Sequence, residues 1–118
     1  MKFTCEKDSL LKEISVAQEI AVKGAGSLSI LSNVLLSADK GTLFIRATDL
    51  KVSFETKIPI EVSEAGSITI PCDMFLSVLR TLKPGDVEFM TRENDTFFIK
   101  PLFKKAEIWL KSVPLGIP

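Results

Sequence analysis

Two cysteines, Cys5 and Cys72, carry the most nucleophilic side chains of this chain, and each lies beside the start of a predicted helix. A thiolate is favoured at a helix N-terminus, so both positions are candidates for nucleophilic chemistry. However, the chain has no histidine, which removes Cys-His and Ser-His-Asp catalysis and histidine-ligated zinc. The carboxylates fall in predicted turns or on solvent faces, where acid–base chemistry has no partner. We therefore predict packed, unreactive thiols and no catalytic site, metal site or cofactor.

Five basic side chains lie on or just beyond two predicted helices. If both helices line one side, their polar faces form a modest basic surface suited to phosphate groups. Acidic residues lie on the same faces, so ordinary solvated helices explain the pattern equally well. The whole chain has 15 basic and 15 acidic residues, which disfavours a wholly basic nucleic-acid binder. The five are Lys7, Lys12, Lys23, Arg80 and Lys83.

A second candidate surface is apolar. Met74 and Val78, four residues apart, lie to one side of the core stripe of the second predicted helix. Ile108 and Leu110 alternate on the last predicted strand, where they face inward or lie at an exposed edge. An apolar helix shoulder beside an edge strand is typical of a subunit contact. A broad core explains the same residues equally well.

The elements that position these residues follow from periodicity. Apolar residues at helical spacing predict helices over about 9–21, capped by Asp8, and about 74–82, capped by Asp73. Alternation predicts one long strand over 51–62, in which Pro59 marks an edge or a bulge. The other predicted strands cover 2–6, 30–38, 42–48, 67–70, 86–92, 96–102 and 105–112.

The order of these elements repeats. Residues 4–11 resemble residues 69–76, and residues 42–45 resemble residues 96–99. We interpret the chain as one domain over 1–114, built from two copies of a strand–helix–three-strand unit. The predicted fold class is α+β, with two helices packed on antiparallel sheets. The segments are about 1–62 and 66–114 for the two copies and 115–118 for the start of a linker.

Several segments resemble the bacterial DNA polymerase III beta subunit, the sliding-clamp family. The most specific is the Thr48-Asp49-Leu50 triplet after a predicted hairpin. The resemblance runs from Met1 to about Pro114, and it implies a duplicated domain with helices facing DNA and sheets outside. The other segments are Met1–Thr4, Leu10–Lys12, Ile30–Leu36, Gly41–Leu43 and Ile68–Leu82.

The resemblance implies a non-catalytic processivity factor of DNA replication. Such a clamp is a cytoplasmic homodimeric ring that encircles duplex DNA without sequence preference and tethers the replicative polymerase. This chain would be its first domain only, and the clamp loader and polymerases would bind regions absent here. The other hypothesis is a stand-alone, non-catalytic protein-interaction module with the same fold. Predicted DNA contacts are Lys12, Lys23, Arg80 and Lys83, and predicted subunit contacts are Met74, Val78, Ile108 and Leu110.

Overall fold

Two helices and nine strands make up the described part of the chain, which in the computed structural model comprises residues 1–21, 32–92, 96–103 and 107–111. The elements are β1 (Lys2–Glu6), α1 (Lys7–Ile20), β2 (Asn33–Asp39), β3 (Thr42–Thr48), β4 (Ser53–Pro59), β5 (Glu61–Glu64), β6 (Gly66–Pro71), α2 (Cys72–Thr81), β7 (Asp86–Arg92), β8 (Thr96–Pro101) and β9 (Ile108–Lys111).

The strands form two antiparallel sheets, and each sheet contains a strand from the other half of the chain. The four-stranded sheet has the order β4-β3-β2-β6, and the five-stranded sheet has the order β5-β1-β7-β8-β9. Strand β6 pairs with β2 and extends the sheet formed by β2, β3 and β4. Strand β1 pairs with β7 in the equivalent position and extends the sheet formed by β7, β8 and β9. The exchange links the halves through backbone hydrogen bonds. The predicted α+β fold with two helices and antiparallel sheets is confirmed.

Helix α1 begins earlier than predicted, because Glu6 and not Asp8 caps it. Glu6 is the last residue of β1, and its carboxylate accepts hydrogen bonds from the backbone N–H groups of Asp8 (2.7 Å) and Ser9 (3.1 Å). Asp8 instead lies in the first turn, where a negative charge favours the helix dipole. The predicted apolar stripe is buried as expected, with Leu10 and Ile14 fully inaccessible to solvent.

Substitution of Glu6 by glutamine is expected to lower the thermal unfolding midpoint at neutral pH and to make that midpoint less sensitive to acid. The backbone hydrogen bonds from Asp8 and Ser9 hold the pKa of the Glu6 carboxyl below its ordinary value. A depressed carboxyl pKa contributes stability that is present above the unfolded-state pKa and lost as the pH falls through the folded-state pKa. Thermal unfolding midpoints at pH 7 and at about pH 3 measure the effect.

Acidification should therefore lower the thermal unfolding midpoint of the wild type more than it lowers that of the Glu6→Gln variant. Glu64→Gln, on the exposed strand β5, is the matched control, because it removes one carboxylate away from any helix start. Equal acid sensitivity in all three proteins would contradict the capping role of Glu6.

Helix α2 also begins before its predicted start. It covers Cys72–Thr81 and follows β6 directly, with Pro71 at its N-cap and no side-chain capping hydrogen bond there. Asp73, the predicted cap, lies inside the first turn and accepts a 2.7 Å hydrogen bond from the N–H of Met74. Proline leads into the helix because its ring fixes φ close to the helical value, here −58°.

The single strand predicted over 51–62 is two strands that belong to different sheets. Strand β4 ends at Pro59 on the edge of the four-stranded sheet, and β5 begins at Glu61 on the edge of the five-stranded sheet. Between them, the N–H of Ile60 donates to the carbonyl of Gly41 (2.9 Å). Of the edge or bulge that the sequence predicts at Pro59, the structure shows the edge, and the chain changes sheets just after this residue.

The core lies between the helices and the inner faces of the sheets. Its centre is a group of four fully buried phenylalanines, which we call the aromatic cluster: Phe3, Phe75, Phe89 and Phe97. Phe89 stacks on Phe3 with ring centroids 5.0 Å apart and on Phe97 at 5.7 Å, and Phe75 of α2 meets it edge-on at 6.0 Å. The cluster fixes α2 against strands from both halves of the chain.

Candidate functional site

The two helices pack against each other and form one layer of the molecule. A groove of about 300 Å³ runs between them, with polar residues of both helices in its walls. Ser15 and Gln18 contribute from α1, and Ser77 and Arg80 contribute from α2. Two acidic residues, Glu19 and Asp73, line the same groove, so it offers no purely positive site for a phosphate group.

Only some of the residues of the predicted basic surface are exposed on or beside the two helices. Lys12 and Arg80 are exposed on α1 and α2, and Lys83 is exposed just beyond α2. Lys7 was expected on the same surface, but it is 6% exposed, and its Nζ lies 3.2 Å from a carboxylate oxygen of Asp8. Lys7 is buried because the helix starts there, directly after β1, and its N–H donates to the carbonyl of Gly85. Lys23 lies outside the described residues.

The two helices carry more acidic than basic residues. The helices contribute the basic residues Lys7, Lys12 and Arg80 and the acidic residues Asp8, Glu13, Glu19 and Asp73. A surface of this kind attracts a polyanion weakly, because each phosphate contact is accompanied by a nearby carboxylate. The layer suits loose, non-specific contact with a nucleic-acid backbone far better than tight binding.

Both thiols are buried, as the sequence predicts. Burial raises the pKa of Cys5 to about 12, with smaller contributions from the charges of Glu6 and Asp86. Burial also raises the pKa of Cys72 to about 12, with a smaller contribution from Asp73. The helix-terminal position that favours a thiolate is therefore outweighed by desolvation at both residues.

We expect neither cysteine to react with iodoacetamide at pH 8 in the folded protein. A thiol with a pKa of about 12 is ionised to about one part in ten thousand at that pH, and the folded chain also shields the sulfur. Mass spectrometry should show no alkylation under native conditions and two modified thiols after unfolding in guanidinium chloride. Native alkylation as fast as that of free cysteine would contradict the assigned burial.

The predicted subunit contact divides into exposed and buried residues. Met74 is 51% exposed, and Val78 and Ile108 are half-buried at the surface of the core. Leu110 is 8% exposed and belongs to the core, so its side chain does not form part of an exposed contact surface. It is buried because it lies opposite the core residue Phe97 in the β8–β9 ladder. Strand β9 pairs with β8 and forms the end of its sheet.

Five more large apolar side chains are exposed among the described residues. Val16 lies on α1, Leu50 and Val52 lie in the loop between β3 and β4, and Leu102 and Phe103 lie directly after β8. The Thr48-Asp49-Leu50 triplet is a sequence motif of the family resemblance, but the motif does not predict that Leu50 is exposed, because exposure depends on where the loop lies in the tertiary structure.

In the described residues, no group of three or more cysteines and carboxylates is placed to hold a metal ion. None of the helices described here is long and apolar enough to span a membrane.

Comparison with known proteins agrees with this architecture. The family model for the DNA polymerase III beta subunit, N-terminal domain, matches residues 1–108. The chain is 42% identical over 113 residues to the beta sliding clamp of Treponema pallidum, which covers 96% of this chain and 30% of that protein. The crystal structure of the DNA polymerase sliding clamp from Caulobacter crescentus is similar with a TM-score of 0.87 and 29% identity, over 98% of this chain and 31% of the other.

The Helicobacter pylori beta clamp bound to a DNA ligase peptide has a TM-score of 0.89, 24% identity and coverage of 97% of this chain and 31% of the other. At that identity the likeness shows the fold alone. The 118 residues span only 30% of the length of the Treponema pallidum relative. The chain belongs to the DNA polymerase III beta subunit family, whose N-terminal domain it matches.

Proposed function

We propose that this chain acts as the first domain of a ring-forming sliding clamp, a processivity factor that encircles duplex DNA and tethers the replicative polymerase. The observation that carries the proposal is the match of residues 1–108 to the N-terminal domain of the DNA polymerase III beta subunit. The whole ring requires further domains, since this chain spans 30% of the Treponema pallidum relative. The domain extends over 1–114, its two copies over about 1–62 and 66–114, and a linker begins at 115–118.

In this role the helix layer faces the DNA and contacts phosphate groups through a few basic side chains. The proposed contacts are Lys12, Arg80 and Lys83, together with Lys23. Phosphate contacts position a protein without reading sequence. A layer with few basic residues keeps the contact with DNA weak, so that the ring stays on DNA by enclosing it and remains free to slide.

The proposed contact with the next subunit uses the apolar shoulder of α2 and the edge strand β9. Met74 and Val78 present apolar surface, and Ile108 lies at the beginning of β9. Leu110 supports the strand from the core side. In a head-to-tail homodimer this surface meets a later domain of the other chain, because two copies of the same patch cannot close such a ring.

The remaining partners are assigned to regions outside this chain. The Helicobacter pylori clamp binds a DNA ligase peptide, and by family membership we assign clamp-loader and polymerase peptides to later domains. We propose that the protein is non-catalytic and works in the cytoplasm. The absence of histidine and the buried, protonated thiols support a non-catalytic role.

The 118-residue chain alone should bind duplex DNA weakly, since one domain cannot enclose it. We expect a Kd weaker than about 1 μM at physiological salt, with affinity falling further as salt rises. Fluorescence anisotropy with a labelled duplex of mixed sequence, repeated at several salt concentrations, measures this. Tight binding by the lone domain, or binding insensitive to salt, would contradict retention by topology.

A stand-alone protein-interaction module with a clamp fold is the second candidate. The acidic excess of the helices favours it, because such a module needs no DNA-facing basic surface. The two functions differ in one respect that can be measured: only a clamp depends on Lys12 and Arg80 for its contact with DNA.

A further inference from the structure

Strand β4 lies at an open edge of the four-stranded sheet. It pairs with β3 on one side, and in the part of the chain that the structure describes no strand pairs with its other side. Backbone N–H and C=O groups at such an edge lack partners in the sheet, so they can pair with a strand of another chain. Neither the proposed DNA contacts nor the proposed subunit contact uses this edge. Burial alternates along β4, and its exposed positions are Ser53, Glu55, Lys57 and Pro59.

Hydrogen bonds at the two ends of the β3–β4 ladder fix which backbone groups face the open edge. The N–H of Asp49 donates to the carbonyl of Val52 (3.1 Å), and the N–H of Ile60 donates to the carbonyl of Gly41 (2.9 Å). The register between these two bonds is continuous, and opposite residues in an antiparallel ladder alternate between bonded and non-bonded pairs. Even-numbered residues of β4 therefore bond to β3, and odd-numbered residues direct their backbone groups to the open edge.

The position of Pro59 agrees with this alternation. Pro59 lies opposite Thr42, in one of the non-bonded pairs, so the N–H that proline lacks is not needed by β3. The open edge therefore offers both backbone groups of Ser53, Glu55 and Lys57 but only the carbonyl of Pro59.

The sequence of β4 is complementary to itself in one antiparallel register. When Thr56 lies opposite Thr56 of a second copy, Glu55 lies opposite Lys57 of that copy, and Lys57 lies opposite its Glu55. Both are edge-facing residues, so each of these pairs forms two backbone hydrogen bonds. Their side chains lie on the same face of the sheet, where opposite charges stabilise the ladder. The N–H of Ser53 also reaches the carbonyl of Pro59 of the second copy.

Other two-fold registers of β4 lose this match. Centring the pair on Glu55 or on Lys57 places like charges directly opposite each other, which destabilises a ladder. Centres on Phe54 or Ile58 bring no opposite charges together. A centre between two residues places edge-facing groups of one copy opposite β3-facing groups of the other, so backbone hydrogen bonds cannot form. The register centred on Thr56 alone combines hydrogen bonding with opposite charges.

The helix-facing side of β4 adds apolar contact in the same register. Phe54 and Ile58 are half-buried against the core, and each lies opposite the other residue of the second copy. Val52, directly before the strand, is 50% exposed and lies opposite Ile60 of the second copy. Pairing therefore removes from water apolar surface that the single chain leaves exposed, which favours association.

We propose that the 118-residue chain by itself forms a two-fold symmetric dimer, in which β4 pairs antiparallel with β4 of a second copy and the pair is centred on Thr56. The two four-stranded sheets then form one continuous sheet. The contact is independent of DNA and of the proposed subunit contact, because β4 and β9 belong to different sheets. A single ladder is smaller than the interface of about 1,200–2,000 Å² found in stable complexes. The expected Kd therefore lies between about 10 μM and 1 mM.

Two measurements on the 118-residue chain test this dimer. Sedimentation equilibrium at concentrations from about 10 μM to 1 mM should give an average mass that rises from the 13.0 kDa of the monomer towards twice that value. In a mixture of isotope-labelled and unlabelled chains, an isotope-filtered NOE should connect the Hα of Thr56 in one copy to the Hα of Thr56 in the other. These two atoms face each other across the ladder, because Thr56 forms a non-hydrogen-bonded pair.

Charge variants of exposed residues test the register and leave the fold intact. Lys57→Glu places like charges opposite each other twice in the ladder, so it should raise the Kd at least about tenfold. Adding Glu55→Lys to that variant exchanges the two charges, makes the opposite pairs again and should restore most of the affinity. Lys100→Glu, exposed on β8 of the other sheet, changes the net charge as Lys57→Glu does and should leave the Kd unchanged.

Three results would overturn the proposal. The first is an average mass that stays at 13.0 kDa up to about 1 mM protein. The second is a loss of affinity in Lys100→Glu as large as that in Lys57→Glu, or no recovery when the two charges of β4 are exchanged. The third is an intermolecular NOE that connects other residues in place of Thr56, which would assign the association to a different register or surface.

Discussion

Replacing Phe89 by alanine is expected to lower the free energy of unfolding by about 3–5 kcal/mol. Phe89 is fully buried at the centre of the aromatic cluster, where its ring contacts Phe3, Phe75 and Phe97. The alanine variant loses the transfer free energy of the ring and leaves a cavity that rigid sheet neighbours cannot fill. A domain of this size has a total stability of about 5–15 kcal/mol, so part of the population should unfold near 37 °C.

Urea unfolding followed by circular dichroism measures this loss. Phe98→Ala is the matched control, because Phe98 follows Phe97 on β8 but lies half-buried on the outer face, under Arg92 (4.0 Å to the ring centroid). The Phe98→Ala substitution should lower the free energy of unfolding far less, since the Phe98 ring is only half-buried. A loss for Phe89→Ala no larger than that for Phe98→Ala would contradict the assigned centre of the core.

The second large effect concerns the proposed DNA-facing layer. The double reversal Lys12→Glu with Arg80→Glu should weaken duplex binding by the 118-residue chain at least about tenfold at low salt, and it should flatten the salt dependence. Both residues are exposed on the helices, so the protein should remain folded. Each substitution removes one proposed phosphate contact and adds a repulsive charge to a layer that already has more acidic than basic residues.

A control with the same change in net charge separates local contact from overall charge. Lys57→Glu with Lys100→Glu places the same charges on exposed strand positions of β4 and β8, on the faces away from the helices. We expect this control to bind DNA nearly as well as the wild type. Equal losses in the two double variants would contradict a specific role for the helix layer, and no loss in either would favour the interaction-module function.

Much of the fold could be predicted because its local signals agree with its tertiary structure. The apolar stripe of α1 and the alternation of β3 each bury the expected residues. The residues Asp39-Lys40-Gly41 between β2 and β3 are of the types that favour a hairpin turn, and both Lys40 and Gly41 adopt positive φ (47° and 77°) as such a turn requires. In these elements, residue type and backbone geometry favour the same structure.

The helix starts and the sheet membership could not be predicted in this way. Both Glu6 and Asp8 are able to accept hydrogen bonds at a helix start, and only the end of β1 decides which one does so. Alternation continues unbroken through 51–62 although the chain changes sheets after Pro59. Periodicity records which face of a strand is buried, but it contains no information about which strand lies alongside.

The candidate site was predicted less completely for a related reason. Lys7 and Lys12 are both basic residues of α1, yet one is buried beside Asp8 and the other is exposed. The burial of Lys7 depends on how α1 follows β1, and no local pattern of residue types in the sequence predicts that junction. Leu110 faces the core because of its partner Phe97 across the sheet.

The most direct test of the clamp function is retention of the native protein on circular DNA before and after the circle is cut. The polypeptide that carries this domain is followed in its own cell extract, supplied with ATP and a nicked circular duplex, and the DNA-bound fraction is separated by gel filtration. A sliding clamp should elute with the circle at physiological salt and be lost once a restriction enzyme makes the DNA linear. Retention that is the same on circular and linear DNA, or no retention on the circle, would contradict a ring that holds DNA by topology.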